Sequence, residues 1–538
     1  MAAIGISEML CEVIRSESEY KQLYNTLYKY ISGGSRFSQG PALITGLSDG
    51  ARNVLCASLA AESAFLSDKD GKKTPLILVP DEKTAYSMRS KLSAFLEKVY
   101  VFPARDFNFY NVGALSKEWE YERLKVLRAL VSGECDAVLA VPEAALAPLP
   151  PAEYIRKGKT LKVGDTVALE ALIKTLDGYG YVRVDTVEGA GQYSLRGDIL
   201  DVFVPDNDYP LRLEFFGDEI DAAGFFDTMT QRRTENVTDF TVTPVRETVI
   251  PTEKYGLIEE KIDTLITAAL RKKNQPLAEK LSAERMACKN ADFAAADKYL
   301  PFLYAGFTTL FDYARGLCVV CDYPRVKERL NAFLYQLHET LTDLASAGEM
   351  SLADGVWCKT YEDLKYLLSK RPSAVTDPFT GTPDFEISGL FEFSSRQTVS
   401  IESGIDILCD DLTGYLKSGC RTVLCVRGKA HASELYDMLA EHGINAVVSG
   451  GMPLAELSKS HVYLMPKDDM GEEYVGFELI KTGFAFLCES TSTQEASARA
   501  VKTNEKAKKS AKKKILSYLE LTEGDYVVHE LHGVGQYM

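Results

Sequence analysis

The stretch Thr45-Gly-Leu-Ser-Asp-Gly-Ala-Arg-Asn53 follows an apolar strand pattern at Ala42–Thr45 and leads into a helical pattern. Parallel α/β folds hold phosphate at such a strand-to-helix turn. A working phosphate loop reads G-x-x-x-x-G-K-[ST]; its lysine meets the β- and γ-phosphates and its hydroxyl holds Mg²⁺. With Gly46 as the first glycine, Ala51, Arg52 and Asn53 fall where Gly, Lys and Ser/Thr belong. Ala51 adds a Cβ where backbone must approach phosphate, Arg52 replaces a compact ammonium with a planar fork, and Asn53 lacks the hydroxyl. Asp49 adds a charge that repels nucleotide. The residues predict a loop that does not grip ATP; an unusual but active loop is the alternative.

A second chemistry, carboxylate recognition, is suggested by Arg183 and Arg196 within Tyr181–Arg233. Leu211, Leu213 and Phe215 alternate with Arg212, Glu214 and Phe216, the period of a half-buried strand. Gly217-Asp218 suits a tight hairpin, with Ile220 to Phe226 returning. Tyr193 to Val204 reads as one extended run with a bulge at Gly197. Alternation points Arg183 away from a face buried by Val182 and Val184. The two arginines are either solvated surface residues or part of a partner-docking surface, since arginine is enriched at interface hot spots.

The series Tyr193-Ser-Leu-Arg-Gly-Asp-Ile-Leu-Asp-Val-Phe-Val-Pro205, Arg212-Leu-Glu-Phe-Phe-Gly-Asp-Glu219, Phe226-Asp and Gln231-Arg232 resembles the UvrA-docking domain shared by UvrB and the transcription-repair coupling family Mfd. The resemblance implies UvrA docking through Arg183 and Arg196, with Leu200 adding an apolar contact. It also locates the second half of the nucleotide site. Leu317-Cys-Val-Val-Cys-Asp-Tyr-Pro324 is similar to a UvrB segment ending in Asp-Glu; here Asp322 is present and Tyr323 replaces the glutamate. A phenol with a reference pKa near ~10 is not a general base at neutral pH. Phe102-Pro-Ala-Arg-Asp-Phe-Asn-Phe-Tyr110 resembles UvrB too, but the chain then enters a helix start at Ser116 where UvrB inserts its DNA-clamping hairpin. Phe107, Phe109 and Tyr110 are read as packing residues, with a base-stacking platform as the alternative.

At 538 residues several domains are expected. A formal net charge of −16 argues against a dedicated DNA-wrapping surface, though not against a local basic patch. The eleven cysteines sit mostly in apolar patterns; the single CxxC, Cys318 to Cys321, lacks a second pair at zinc spacing and reads as buried strand cysteines in a reducing cytoplasm. No apolar run approaches the ~20 residues that span a bilayer.

The expected fold class is multidomain α/β. A degenerate phosphate-loop, helicase-like parallel-sheet lobe (1–150 and, largely helical, 246–385) receives an inserted, mainly antiparallel α+β docking domain (151–245). The Pro148–Pro151 run marks their boundary. A small α/β domain (386–490) follows, then a basic linker (491–514). In the lobe, a helix near 7–31 begins a strand–helix alternation with strands at Ala42–Thr45, Leu76–Pro80, Val99–Phe102 and Ala137–Val141. His431 and His442 are read as surface or helix-end histidines.

Residues 515–538 resemble the start of the RNA-polymerase-interacting domain of Mfd, with His532, Gly533, Gly535 and Tyr537 in its signature and the glycines expected in tight turns. The pattern stops in mid-fold, so a piece of a longer chain is expected. Members of the family are ATP-driven DNA translocases that displace stalled RNA polymerase from lesions and recruit UvrA for nucleotide excision repair. The resemblance implies that ATP, Mg²⁺ and double-stranded DNA are handled by a motor beyond Met538. The polymerase β subunit is met through the domain begun here, and 1–514 is a recruitment and regulatory module without catalytic residues or cofactor. Two other readings are a UvrB-like ATP-dependent binder of damaged DNA and an RNA-polymerase-binding adaptor.

Overall fold

The computed structural model describes residues 5–32, 40–63, 73–105, 117–247, 255–289, 296–303, 308–351, 355–378, 383–398, 404–467, 473–489, 526–529 and 533–536, with 107, 109, 381 and 401 between them. A seven-stranded sheet organises the first lobe. Its order is Gly389–Glu392, Ala42–Thr45, Ser373–Asp377, Cys318–Val320, Leu76–Leu78, Ala137–Ala140 and Val99–Phe102, all neighbours parallel. Alternate residues of one strand feed opposite cores. Leu76 and Leu78 face helices Glu118–Ser132 and Tyr323–Ala347, while Ile77 and Val79 face Ile6–Ser16, Asp49–Ser63 and Glu82–Leu92. Burial on both faces is why these strands read as short apolar runs without alternation.

The helix expected over 7–31 is two helices, Ile6–Ser16 and Ser18–Ser32. The chain leaves helical geometry at Glu17, whose buried carboxylate accepts a hydrogen bond from the Thr482 hydroxyl. Between 246 and 385 the chain is mostly helical, but it supplies two central strands, Cys318–Val320 and Ser373–Asp377. Gly389–Glu392 completes the same sheet before the chain crosses to the next unit at Ser395–Gln397. In the Pro148–Pro151 run Leu149 is buried and its N–H donates to the Thr308 carbonyl at 2.8 Å.

The inserted domain is a six-stranded sheet ordered Arg233–Asn236, Glu219–Phe226, Leu211–Phe216, Ile199–Val202, Gln192–Arg196 and Val182–Arg183. Helix Leu169–Tyr179 covers one face with Leu172 and Leu176. The expected run from Tyr193 to Val204 is instead a hairpin: Arg196 pairs with Ile199 across Gly197-Asp198, with Gly197 at φ 62°. Gly217-Asp218 turns the next hairpin as expected, Gly217 at φ 65°.

The following unit is a six-stranded sheet ordered Ser395–Gln397, Phe477–Leu479, Phe484–Cys488, Arg421–Arg427, Val462–Lys467 and Ala446–Val448. Helices Ile405–Lys417 and Gly428–Glu441 cover one face. The other face, with Val423, Tyr463, Met465, Phe477 and Phe486, packs directly on the first lobe's helices. Near the C-terminus Tyr526–His529 and Gly533–Gln536 form an antiparallel hairpin. Among the described residues no helix is long and apolar enough to cross a membrane.

A buried charge pair ties the inserted domain to the lobe. The Arg123 guanidinium donates through Nε and Nη2 to both Glu247 oxygens, at 2.7 and 2.8 Å, and through Nη1 to the Pro103 carbonyl at 2.6 Å. It also stacks over Phe102, 4.1 Å from the ring centroid. Both side chains are fully buried. Arg123→Leu removes both short bonds to the buried Glu247 carboxylate, leaving Arg105 at 3.5 Å, and is expected to cost about 3–5 kcal/mol; an unshifted urea midpoint would contradict this. Burial alone would raise the Glu247 pKa, but the Arg123 charge outweighs it and lowers the pKa below 4.5. With the folded pKa depressed, the stabilisation is complete above the unfolded value near ~4.3 and is lost as pH falls through the native value. Melting temperature should therefore drop along an acid limb that Glu247→Gln flattens.

Candidate functional site

The open face of the inserted sheet is built by alternation. Tyr193, Leu195, Leu200, Val202, Leu213 and Phe215 point to the helix-covered core. The intervening set, Ser194, Arg196, Ile199, Asp201, Arg212, Glu214 and Phe216, points away, with Ser194, Asp201 and Arg212 in one row and Arg196, Ile199 and Glu214 in the next. Asp201 is the hub. It is 1% exposed and accepts from Arg196 Nη2 at 2.7 Å and from Arg212 Nε and Nη2 at 2.7 and 2.9 Å. Arg212 continues to the Gln231 carbonyl and side-chain oxygen at 3.2 and 3.1 Å and lies over Phe226, 4.2 Å from its centroid. The bonds to Asp201, more than offsetting burial, raise the Arg212 pKa further. Gln231 reaches this position at φ 58°, at the end of a turn in which Asp227 accepts from the Thr230 amide at 2.7 Å.

At the rim of this network the Arg196 side chain stays 47% exposed and Phe216 is 82% exposed. A half-exposed guanidinium and an exposed aromatic ring, both on the open face, are residue types enriched at protein interfaces.

The strand-to-helix turn at Gly46 has a different environment. Gly46 takes φ 74°, and Ser395 sits against it. The Ser48 N–H donates to Ser395 Oγ at 2.6 Å, while the Ser395 hydroxyl and N–H both donate to the Gly46 carbonyl, at 3.0 and 3.1 Å. Arg52 pairs with Asp49 at 2.9 Å. Asp322, at φ 56°, precedes helix Tyr323–Ala347, receives Arg325 at 3.4 Å, and its N–H donates to Thr376 Oγ1 at 3.0 Å. The Tyr323 ring is buried against Phe385 and its hydroxyl donates to Asp384 at 2.5 Å, within a cluster completed by Tyr361 and Lys327. Among the described residues no group of His, Cys, Asp and Glu could hold a metal ion.

Residues 160–247, the inserted sheet, match the model of the UvrB interaction domain family. The chain is also similar, along nearly all of its length, to curated transcription-repair-coupling factors. That of Bacillus subtilis (strain 168) is 27% identical over 98% of this chain and 43% of its own length. That of Staphylococcus aureus (strain MRSA252) is 25% identical over 93% of this chain and 42% of its own length. The chain is thus similar to transcription-repair-coupling factors. It spans less than half the length of these relatives.

Several residues expected to carry function in this chain fall elsewhere. Leu200 is fully buried, because its place in the strand puts it in the core row with Leu213; it offers no contact to a partner. Arg183 and Arg196 do not share a face. Arg183 pairs with Tyr193, a core-side residue whose phenol feels its charge, whereas Arg196 belongs to the outer set. Val182 is 45% exposed and buries no face, since the two-residue strand Val182–Arg183 is the sheet's edge. Phe216 was legible as the last outward position of the 211–216 alternation; the roles of Asp201, Arg212 and Gln231 were not, since they depend on pairing between strands.

The lobe's aromatics pack: Phe109 is buried and stacks with Phe107, centroids 5.5 Å apart, while Tyr110 lies outside the described residues. Cys318 and Cys321 are buried, Cys321 Sγ 3.9 Å from Cys56 Sγ. Gly533 and Gly535 lie in a strand, paired with His529 and Val527, rather than in turns. His532, Tyr537 and the basic stretch 491–514 lie outside the described residues.

The two arginines on Asp201 are predicted to separate by assay. Arg212→Ala leaves a buried carboxylate with one exposed partner and should cost about 1–3 kcal/mol. Arg196→Ala keeps the two Arg212 bonds and should leave thermal melting nearly unchanged. Equal losses in both variants would sink the assignment of Arg212 as the structural arginine.

Proposed function

We propose that the inserted sheet docks UvrA, and that the chain serves transcription-coupled repair as a recruitment module. The observation that carries the reading is the coincidence of the UvrB interaction domain match with a rigid open face that presents Arg196 and Phe216. The docking surface is the Arg196, Ile199, Phe216 end of that face. Arg183, at the edge and on the other side, contributes where the partner wraps the sheet edge. The phosphate-loop region takes no part in catalysis: Ala51, Arg52 and Asn53 lack the groups that grip triphosphate, and Tyr323 is bonded to Asp384. Both features weigh against the UvrB-like, ATP-dependent reading.

RNA polymerase binding is assigned to the domain to which the hairpin at Tyr526–His529 and Gly533–Gln536 belongs, on the resemblance of 521–538. ATP-driven work on DNA and a cytoplasmic setting are proposed for the whole protein, and no residue of 1–514 is given a part in the motor.

Calorimetric titration with UvrA tests the docking surface. Arg196→Ala and Phe216→Ala should each lose ~2 kcal/mol, roughly thirtyfold in affinity, with melting unchanged. Arg183→Ala should lose less. Wild-type affinity in both outer-face variants would refute the surface.

A further inference from the structure

The phosphate-loop region is altered in its residues and also has a neighbour in place. Two segments of the following α/β unit come against it, 393–395 and 475–477. The Phe393 N–H donates to the Thr45 carbonyl at 3.0 Å, and the Ser395 hydroxyl takes up the Ser48 amide described above. That amide belongs to the row that phosphate oxygens use in a working loop. Just beyond, a Cβ on Gly50 would lie 2.6 Å from the Val475 carbonyl oxygen and 2.8 Å from that of Gly476, and a Cβ on Gly46 would overlap the Phe393 carbonyl oxygen. Glycines in a nucleotide loop let backbone approach phosphate. Here they let backbone approach backbone. The two carbonyls meet the first turn of helix Asp49–Ser63, where its positive dipole end favours negative charge.

The contact is not a loose flap. Val423, Tyr463, Met465, Phe477 and Phe486 of the second unit share one core with Leu10, Ile14, Val54 and Leu55 of the first lobe's helices. At its border Ser7 Oγ bonds the Tyr474 hydroxyl at 2.7 Å, and Lys481 pairs with Glu19 at 2.5 Å. An interface continuous with the core does not open under thermal motion as a polar domain contact does.

We infer that the small α/β unit is a built-in occupant of the nucleotide position: Ser395 and the 475–476 carbonyls stand where phosphate would sit, and they hold the two units in one nucleotide-independent arrangement. The inference rests on the reading that the loop does not bind ATP and goes further, since it states that mending the motif does not mend the site.

The test is a titration of Mg-ATP, with a fluorescent ATP analogue as probe, against the full chain and against the triple variant Ala51→Gly, Arg52→Lys, Asn53→Ser. The expected result is no saturable binding by either. Binding by the triple variant alone would overturn the occupant and leave the inactive-loop reading standing; binding by the unaltered chain would overturn both. Hydrogen exchange on the unaltered chain decides independently of whether the triple variant folds. The Ser48 amide should exchange orders of magnitude more slowly than a free amide, with no change on adding Mg-ATP. Free-amide exchange at Ser48 would show that Ser395 does not hold it.

Discussion

The buried pair between Arg123 and Glu247 sets the frame for the rest. A guanidinium and a carboxylate without solvent are tolerated only because each finds several partners: two bonds between them, the Pro103 carbonyl, the Phe102 ring and, nearby, Arg105 at 3.5 Å. Geometry this demanding fixes the end of the inserted domain against helix Glu118–Ser132. The Glu247 N–H donates to Glu120 on the same helix at 2.6 Å, and Tyr121 reaches the Ala190 carbonyl at 2.9 Å. A sheet anchored in this way keeps its orientation relative to the lobe.

The same logic repeats at smaller scale on the sheet's open face. Asp201 is buried because Arg212 closes over it, and Arg212 stays in place because Gln231 and Phe226 complete its contacts. The stretches that carry the family resemblance, around Arg196, Arg212 and Phe226 to Arg232, meet in this one network although they lie on different strands. Much of that signature therefore specifies a base of paired charges, and the residues at its rim are the ones proposed to meet the partner. Arg196 has a part in both, with one nitrogen on Asp201 and nearly half its side chain in solvent.

The first lobe has the architecture of a nucleotide fold with its polar groups turned to one another. Parallel strands, a strand-to-helix turn at Gly46 and an aspartate at position 322 remain, yet Arg52 turns to Asp49, and Asp322 to Arg325. The turn itself is engaged by Ser395. The following α/β unit leans one sheet face on the lobe's helices, so the two behave as one packed body rather than as beads joined by a linker.

The sequence alone determined what depends on local pattern and residue type: the α/β class, the hairpin at Gly217-Asp218, the strands Ala42–Thr45 and Val99–Phe102, the residues Ala51, Arg52 and Asn53 after the first strand, and the resemblance that located the inserted domain. Such features follow from side-chain period, turn stereochemistry and functional-group identity, all of which are written along the chain. Tertiary structure alone decided that Leu200 is core, that Arg183 and Arg196 lie on opposite faces, that Ser373–Asp377 is a central strand, and that Ser395 meets Ser48. These depend on strand register and on contacts between residues hundreds of positions apart, and a buried pairing leaves no period in the sequence to read.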